Sequence, residues 1–105
     1  MPQLKVGERS LEIDEKGFLQ ETDAWDEAVA LALGASEGIT ALTPEHLKVA
    51  RYLRDHWLAH GVAPMVRKLC KETGCKLSRI YELFPSGPAM GACKVAGLPN
   101  AKGCV

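Results

Sequence analysis

Apolar and polar residues alternate at Leu4-Lys5-Val6 and again at Leu11-Glu12-Ile13, with Gly7-Glu8 between the two runs. That is the pattern of a short β-hairpin, and a second turn is expected around Lys16-Gly17. A two-stranded hairpin is marginally stable alone, so it is predicted to lie on the rest of the domain. From about Asp23 to Leu33 the period lengthens to that of a helix, with Trp25, Ala28, Val29, Ala32 and Leu33 on one stripe and Gly34 as the stop. Thr43-Pro44-Glu45 opens a second helix with a capping hydroxyl and a proline in the first turn. Its predicted apolar stripe is Leu47, Ala50, Leu53, Trp57 and Leu58, and His60-Gly61 ends it.

Three shorter helices complete the pattern. One starts at Pro64, points Met65, Val66 and Leu69 inward and stops at Gly74. The next runs from Lys76 to Phe84 with Leu77, Ile80, Tyr81 and Phe84 inward. The last begins at Ser86-Gly87-Pro88 and continues through Ala96 to Gly97. The expected fold is mainly α (small α+β): a compact helical bundle with an N-terminal β-hairpin. Residues 1–97 form its single domain, and residues 98–105 form a mobile C-terminal arm.

Length and composition narrow the class. At 105 residues there is room for one core, and 47% hydrophobic with 25% charged residues is ordinary for a globular domain. No apolar run approaches a membrane span, and the first residues lack the apolar stretch of a signal peptide, which points to the cytoplasm. Four cysteines in that setting read as thiols, metal ligands or redox groups rather than a disulfide framework. Net charge is zero, against a general polyanion binder. The charge is uneven, with eight acidic and two basic residues from Glu8 to Glu27, and five basic and two acidic from Arg67 to Glu82.

Helices three and four, Val66 to Phe84, have the outline of a helix-turn-helix unit, with Cys70 four residues before Gly74. Arg67, Lys68, Lys71, Lys76 and Arg79 make it basic. It is a packing unit with a patch for an acidic partner or anion, or a small DNA-binding element. Cys70 and Cys75 flank the turn, but zinc sites pair cysteines more regularly than Cys93 and Cys104 would allow, and small buried residues are the default for both. His46, His56 and His60 lack a carboxylate-rich or cysteine-rich neighbour and read as solvated or core-edge groups.

The remaining candidate chemistry lies at the C-terminus. Cys93 falls near the end of the last helix and Cys104 is the penultimate residue, with Gly97, Pro99 and Gly103 between them. Seven residues from Gly97 to Cys104 reach roughly 23 Å when extended. They also allow an easily closed loop back to Cys93. Lys102 favours a Cys104 thiolate while the Val105 carboxylate opposes it, so activation would come from whatever site the arm enters. A frayed, inert terminus is the alternative.

Tyr81-Glu-Leu-Phe-Pro-Ser-Gly-Pro88, Ala92-Cys93-Lys94-Val-Ala-Gly-Leu-Pro99 and Gly103-Cys104-Val105 together resemble the DsrC/TusE family. Within it they resemble the branch that serves dissimilatory sulfite reductase. Gly17-Phe18-Leu19, Trp25 and Leu42-Thr-Pro44-Glu-His extend the resemblance over nearly the whole chain. It implies that Cys104 accepts sulfite-derived sulfur as a persulfide and that Cys93 closes a sulfur-bridged product, later reduced to release sulfide. The implied partners are the reductase alpha and beta subunits and a membrane electron-transfer complex. No cofactor would be bound by this chain, since sirohaem and iron–sulfur clusters belong to the reductase. The family's other branch implies a TusE-like persulfide relay toward tRNA thiolation, in which only the penultimate cysteine is generally kept.

Overall fold

The computed structural model describes residues 2–99. Strands β1 (Gln3–Val6) and β2 (Arg9–Glu12) pair antiparallel with Leu4 opposite Leu11 and Val6 opposite Arg9, around the two-residue turn Gly7-Glu8. Asp14 closes the next turn, its carboxylate accepting the N–H groups of Lys16 and Phe18, each at 2.9 Å. Five helical elements follow: α1 (Glu27–Ala35), α2 (Pro44–His60), α3 (Val66–Thr73), α4 (Leu77–Leu83) and α5 (Cys93–Val95). A π-helical turn, Pro88–Ala92, runs directly into α5. The expected mainly α fold with an N-terminal hairpin and a helix-turn-helix-like unit is the observed one. Among the described residues no helix is long and apolar enough to cross a membrane.

Several helix details differ from the periodicity, each for a local reason. The first helix starts at Glu27 rather than Asp23, because the Asp26 carboxylate caps it by accepting the Val29 N–H at 2.9 Å. Trp25 is thereby left outside in extended backbone, and Thr22–Ala24 forms a separate 3-10 turn. Gly34 does not stop this helix, which runs on to Ala35. The buried line of α2 is His46, Val49, Ala50 and Leu53, so Leu58 at 64% exposed is no core residue. Likewise Met65 is 62% exposed because it caps α3 instead of packing inside it. In α4, Leu77 and Tyr81 face outward, while Ile80, Leu83 and Phe84 go in.

Two apolar clusters result. Val6, Leu11, Leu19, Val29 and Leu33 fasten the hairpin to α1. The larger cluster joins α2, α3, α4 and α5 around Val49, Leu53, Leu69, Ile80, Phe84, Val95 and Leu98. His46 ties the second cluster to the end of α4. Its Nδ1 accepts the Thr43 N–H at 3.1 Å, which leaves Nε2–H to donate to the Leu83 carbonyl at 2.8 Å. This histidine is a cap and a strut, as its 8% exposure and full set of partners require.

Candidate functional site

The last described residues are held by their own turn and by side chains from distant parts of the chain. After α5 the chain closes a full Schellman turn: Gly97 N–H donates to the Lys94 carbonyl at 3.0 Å and Leu98 N–H to the Cys93 carbonyl at 3.2 Å. Gly97 is left-handed, with φ of +74°. A Cβ there would run into the Trp25 ring, with Cγ at 2.9 Å, and into the Arg54 guanidinium at 3.2 Å. The position needs glycine on two independent grounds.

Side chains from elsewhere then take up the carbonyls that this helix end leaves unpaired. Trp25 Nε1–H donates to Val95 at 2.8 Å, Arg54 Nη1 to Ala96 at 3.0 Å and Thr22 Oγ1–H to Gly97 at 2.7 Å. Gln20 Nε2 donates to Pro99 at 3.1 Å. Arg54 also donates through Nη2 to the Thr22 carbonyl at 3.0 Å and through Nη1 to its hydroxyl at 3.2 Å. Its guanidinium carbon lies 4.6 Å from the centroid of the Trp25 ring, a cation–π stack. Burial pulls the Arg54 pKa below its ordinary value while Asp23 and Asp55 oppose the shift; the group stays charged.

Cys93 opens α5 and is fully buried, within the larger cluster. Its backbone N–H bonds the Pro88 carbonyl across the π turn. The next residue, Lys94, is buried as well. Its ammonium pairs with Glu37 at 2.9 Å, with the two side chains 10% and 13% exposed, and sits 5.5 Å from the Phe18 ring centroid. Glu37 accepts a second bond from Ser86 Oγ at 3.2 Å. Leu98, which the sequence assigns to the arm, is fully buried. Cys104, with the rest of 100–105, lies outside the described residues.

The basic candidates separate into two groups. Arg67, Lys68 and Lys71 are exposed and line one groove on α3 together with Met65 and Glu72. Lys76 is exposed at the start of α4. Arg79 is committed within the molecule, donating to both Glu45 oxygens at 2.8 and 2.7 Å and to Glu82 at 3.2 Å. Cys75 is buried with its thiol 3.8 Å from Glu45 Oε2. Cys70 is half-buried, and burial first, then the neighbouring Cys75, pushes its thiol pKa up. Among the described residues no three His, Cys, Asp or Glu side chains are disposed to hold a metal ion.

Sequence periodicity did not reveal Gln20, Thr22, Arg54, Glu37 or Lys94 as parts of this site. Trp25 carried a signal, but as a member of a helical stripe. Its actual role depends on the Asp26 cap that excludes it from the helix.

Fold and site define a small helical domain whose last described helix buries one cysteine and whose side-chain clasp fixes the segment that follows it, residues 95–99. The DsrC like protein family matches residues 5–105. The gamma subunit of dissimilatory-type sulfite reductase from Nitratidesulfovibrio vulgaris is 50% identical over 97 residues, 92% of each chain. Sulfurtransferase TusE of Escherichia coli K12 is 38% identical over 104 residues, covering 92% of this chain and 94% of that one. The crystal structure of the oxidized gamma subunit from Archaeoglobus fulgidus superposes with a TM-score of 0.89 at 48% identity, over 99% of this chain and 100% of that one. The chain belongs to the DsrC-like family.

Proposed function

We propose that this chain is the gamma subunit, or protein co-substrate, of a dissimilatory sulfite reductase, carrying sulfur between Cys104 and Cys93. The observation that carries the reading is the 50% identity to a sulfite reductase gamma subunit across nearly all of both chains. The buried Cys93 at the root of the C-terminal segment fits it. From Pro99 to Cys104 is five residues, a reach of about 17 Å.

The chemistry balances as follows. Sulfite, two cysteine thiols, two electrons and four protons give a product in which one sulfur bridges Cys93 and Cys104, with three waters released. Four more electrons and four protons reopen the bridge to two thiols and hydrogen sulfide. In this reading the reductase, which carries the sirohaem and iron–sulfur clusters, supplies the first electrons. A membrane electron-transfer complex supplies the rest. Cys104 accepts the sulfur, and the Cys93 thiolate closes the bridge. The setting is the cytoplasm, and of the basic candidates on α3 and α4, Arg67, Lys68, Lys71 and Lys76 are exposed for docking, while Arg79 would have to leave Glu45 first.

Turnover with reductase and sulfite, followed by intact-mass spectrometry, tests the assignment. The Cys104→Ser protein should form no bridged product, and the Cys93→Ser protein should accumulate a persulfide. A bridged product from the Cys104→Ser protein would overturn the reading. A TusE-like relay would run through Cys104 alone, so Cys93→Ser would leave sulfur transfer intact.

A further inference from the structure

Cys93 is the thiol that the proposed chemistry needs second, yet none of its surface is exposed. Something packed on it must move before any sulfur can reach it. The helices of the larger cluster are poor candidates, because moving α1 or α2 dismantles the core. The segment after Val95 is different. Its own backbone bonds are the two of the Schellman turn and that of the Ala96 N–H to the Ala92 carbonyl at 2.9 Å, and one of the Schellman pair ends on the carbonyl of Cys93 itself. Ala96 and Leu98 are buried in the larger cluster, and the polar part of the anchorage is four side-chain donors aimed at four carbonyls, those of Val95, Ala96, Gly97 and Pro99.

Arg54 is the centre of that set. It grips Ala96 directly, takes the Thr22 hydroxyl that also serves Gly97, and stacks on the indole that serves Val95. Its charge is spent on backbone carbonyls, and carboxylates act on it only as the background charges of Asp23 and Asp55. Losing the fork would therefore loosen three carbonyl contacts together, while α1 to α4 keep their packing.

We infer that Arg54 is a positioning residue for Cys93: with Thr22 and Trp25 it latches residues 95–99 down and so sets how often the buried thiol is presented for reaction. The inference rests on the reading that Cys93 is a reacting group. The latch is a local opening equilibrium in the native protein, and its constant multiplies the intrinsic reactivity of the thiol.

The test is pulsed labelling with iodoacetamide, whose iodide is displaced by the thiolate, followed by peptide mass spectrometry. It uses the full chain carrying Cys104→Ser, so only Cys93, Cys75 and Cys70 report. Cys75 is buried in the same cluster but far along the chain from the latch, and serves as the internal gauge of global unfolding. Arg54→Ala is expected to raise the Cys93 labelling rate about tenfold, as the loss of a charge-assisted hydrogen bond dictates, with the Cys75 rate unchanged. An unchanged Cys93 rate, or Cys93 and Cys75 rising in proportion, would overturn the latch.

Should Arg54→Ala fail to fold, Thr22→Val decides in its place. It removes the hydroxyl bond to Gly97 at near-constant volume and is expected to raise Cys93 labelling severalfold, again without Cys75; no change in Cys93 would overturn the latch. Failure of the sulfur-carrier reading would look different. In that case wild-type protein with reductase and sulfite yields no Cys93–Cys104 bridge, whatever the labelling ratio.

Discussion

Gly74 and Gly97 both take the left-handed conformation past a helix end, but in different surroundings. Their φ values are +73° and +74°, and each stands in the left-handed position just after its helix. A Cβ at Gly74 would meet nothing within 4 Å, whereas at Gly97 it would enter the Trp25 ring. The same contrast runs through both regions. In the α3–α4 unit Arg79 is 44% exposed and pairs with carboxylates at the surface. At the root of the C-terminal segment Arg54 is drawn inward and donates to backbone carbonyls. The α3–α4 turn is a connection that solvent could complete. The C-terminal root is one that only the surrounding protein completes, which is what a segment beside a buried reactive thiol needs.

The two glycines offer the largest effect. Gly97→Ala adds a collision with an aromatic ring to a left-handed backbone, and is expected to cost about 3 kcal/mol, or roughly 15 °C in Tm. Gly74→Ala carries the backbone term alone, about 1 kcal/mol or roughly 5 °C. Thermal unfolding followed by circular dichroism measures both. Equal losses at the two sites would show that Trp25 yields freely and that the root is not tightly packed.

The next effect lies at the residue directly after Cys93. Lys94 and Glu37 are nearly out of solvent, so removing one charge strands the other. Glu37→Gln should cost about 2 kcal/mol in urea unfolding, and the Lys94→Met, Glu37→Gln double variant should recover much of it. Additive losses in that cycle would mean that the two side chains do not depend on each other. No counterpart exists among the ion pairs of α3 and α4 described, where both groups remain partly hydrated.

These contrasts mark what the sequence could and could not reveal. The hairpin, the Thr43-Pro44 start of α2 and the stops at Gly61, Gly74 and Gly97, though not the one expected at Gly34, were legible, because turn and cap chemistry is local. Helix faces were read less well. Leu58, Met65, Leu77 and Tyr81 match a 3.6-residue period yet face outward, since caps and short helix lengths rotate the true stripe. Cys93 was legible as a candidate from its spacing to the C-terminus. The clasp around it was not, because Gln20, Thr22, Trp25 and Arg54 meet residues some thirty to eighty positions away in the chain. Nothing in the local pattern of an arginine on a helix distinguishes one that holds a carbonyl from one that faces water. Arg79 and Arg54 look alike in sequence for that reason.

The smallest expected effect separates those two arginines. Arg79 holds the Glu45 carboxyl below its ordinary pKa of 4.5, chiefly by hydrogen bonding, with burial opposing. A carboxylate whose folded pKa is depressed contributes stability above its unfolded value and loses it as pH falls through the folded one. Arg79→Ala should therefore lower Tm only slightly at neutral pH, less than Gly74→Ala, because the pair is exposed and solvent screens it. The difference from wild type should shrink as the pH is lowered from neutral through the depressed Glu45 pKa, since the protonated carboxyl no longer pairs with Arg79. Arg54 has no titrating partner among its hydrogen bonds, so the Tm deficit of Arg54→Ala should stay level over the same range. A deficit for Arg54→Ala that fades in acid would place Asp23 or Asp55, not the carbonyls, as its main counterpart, and would move the C-terminal root into the same surface-electrostatic class as the α3–α4 turn.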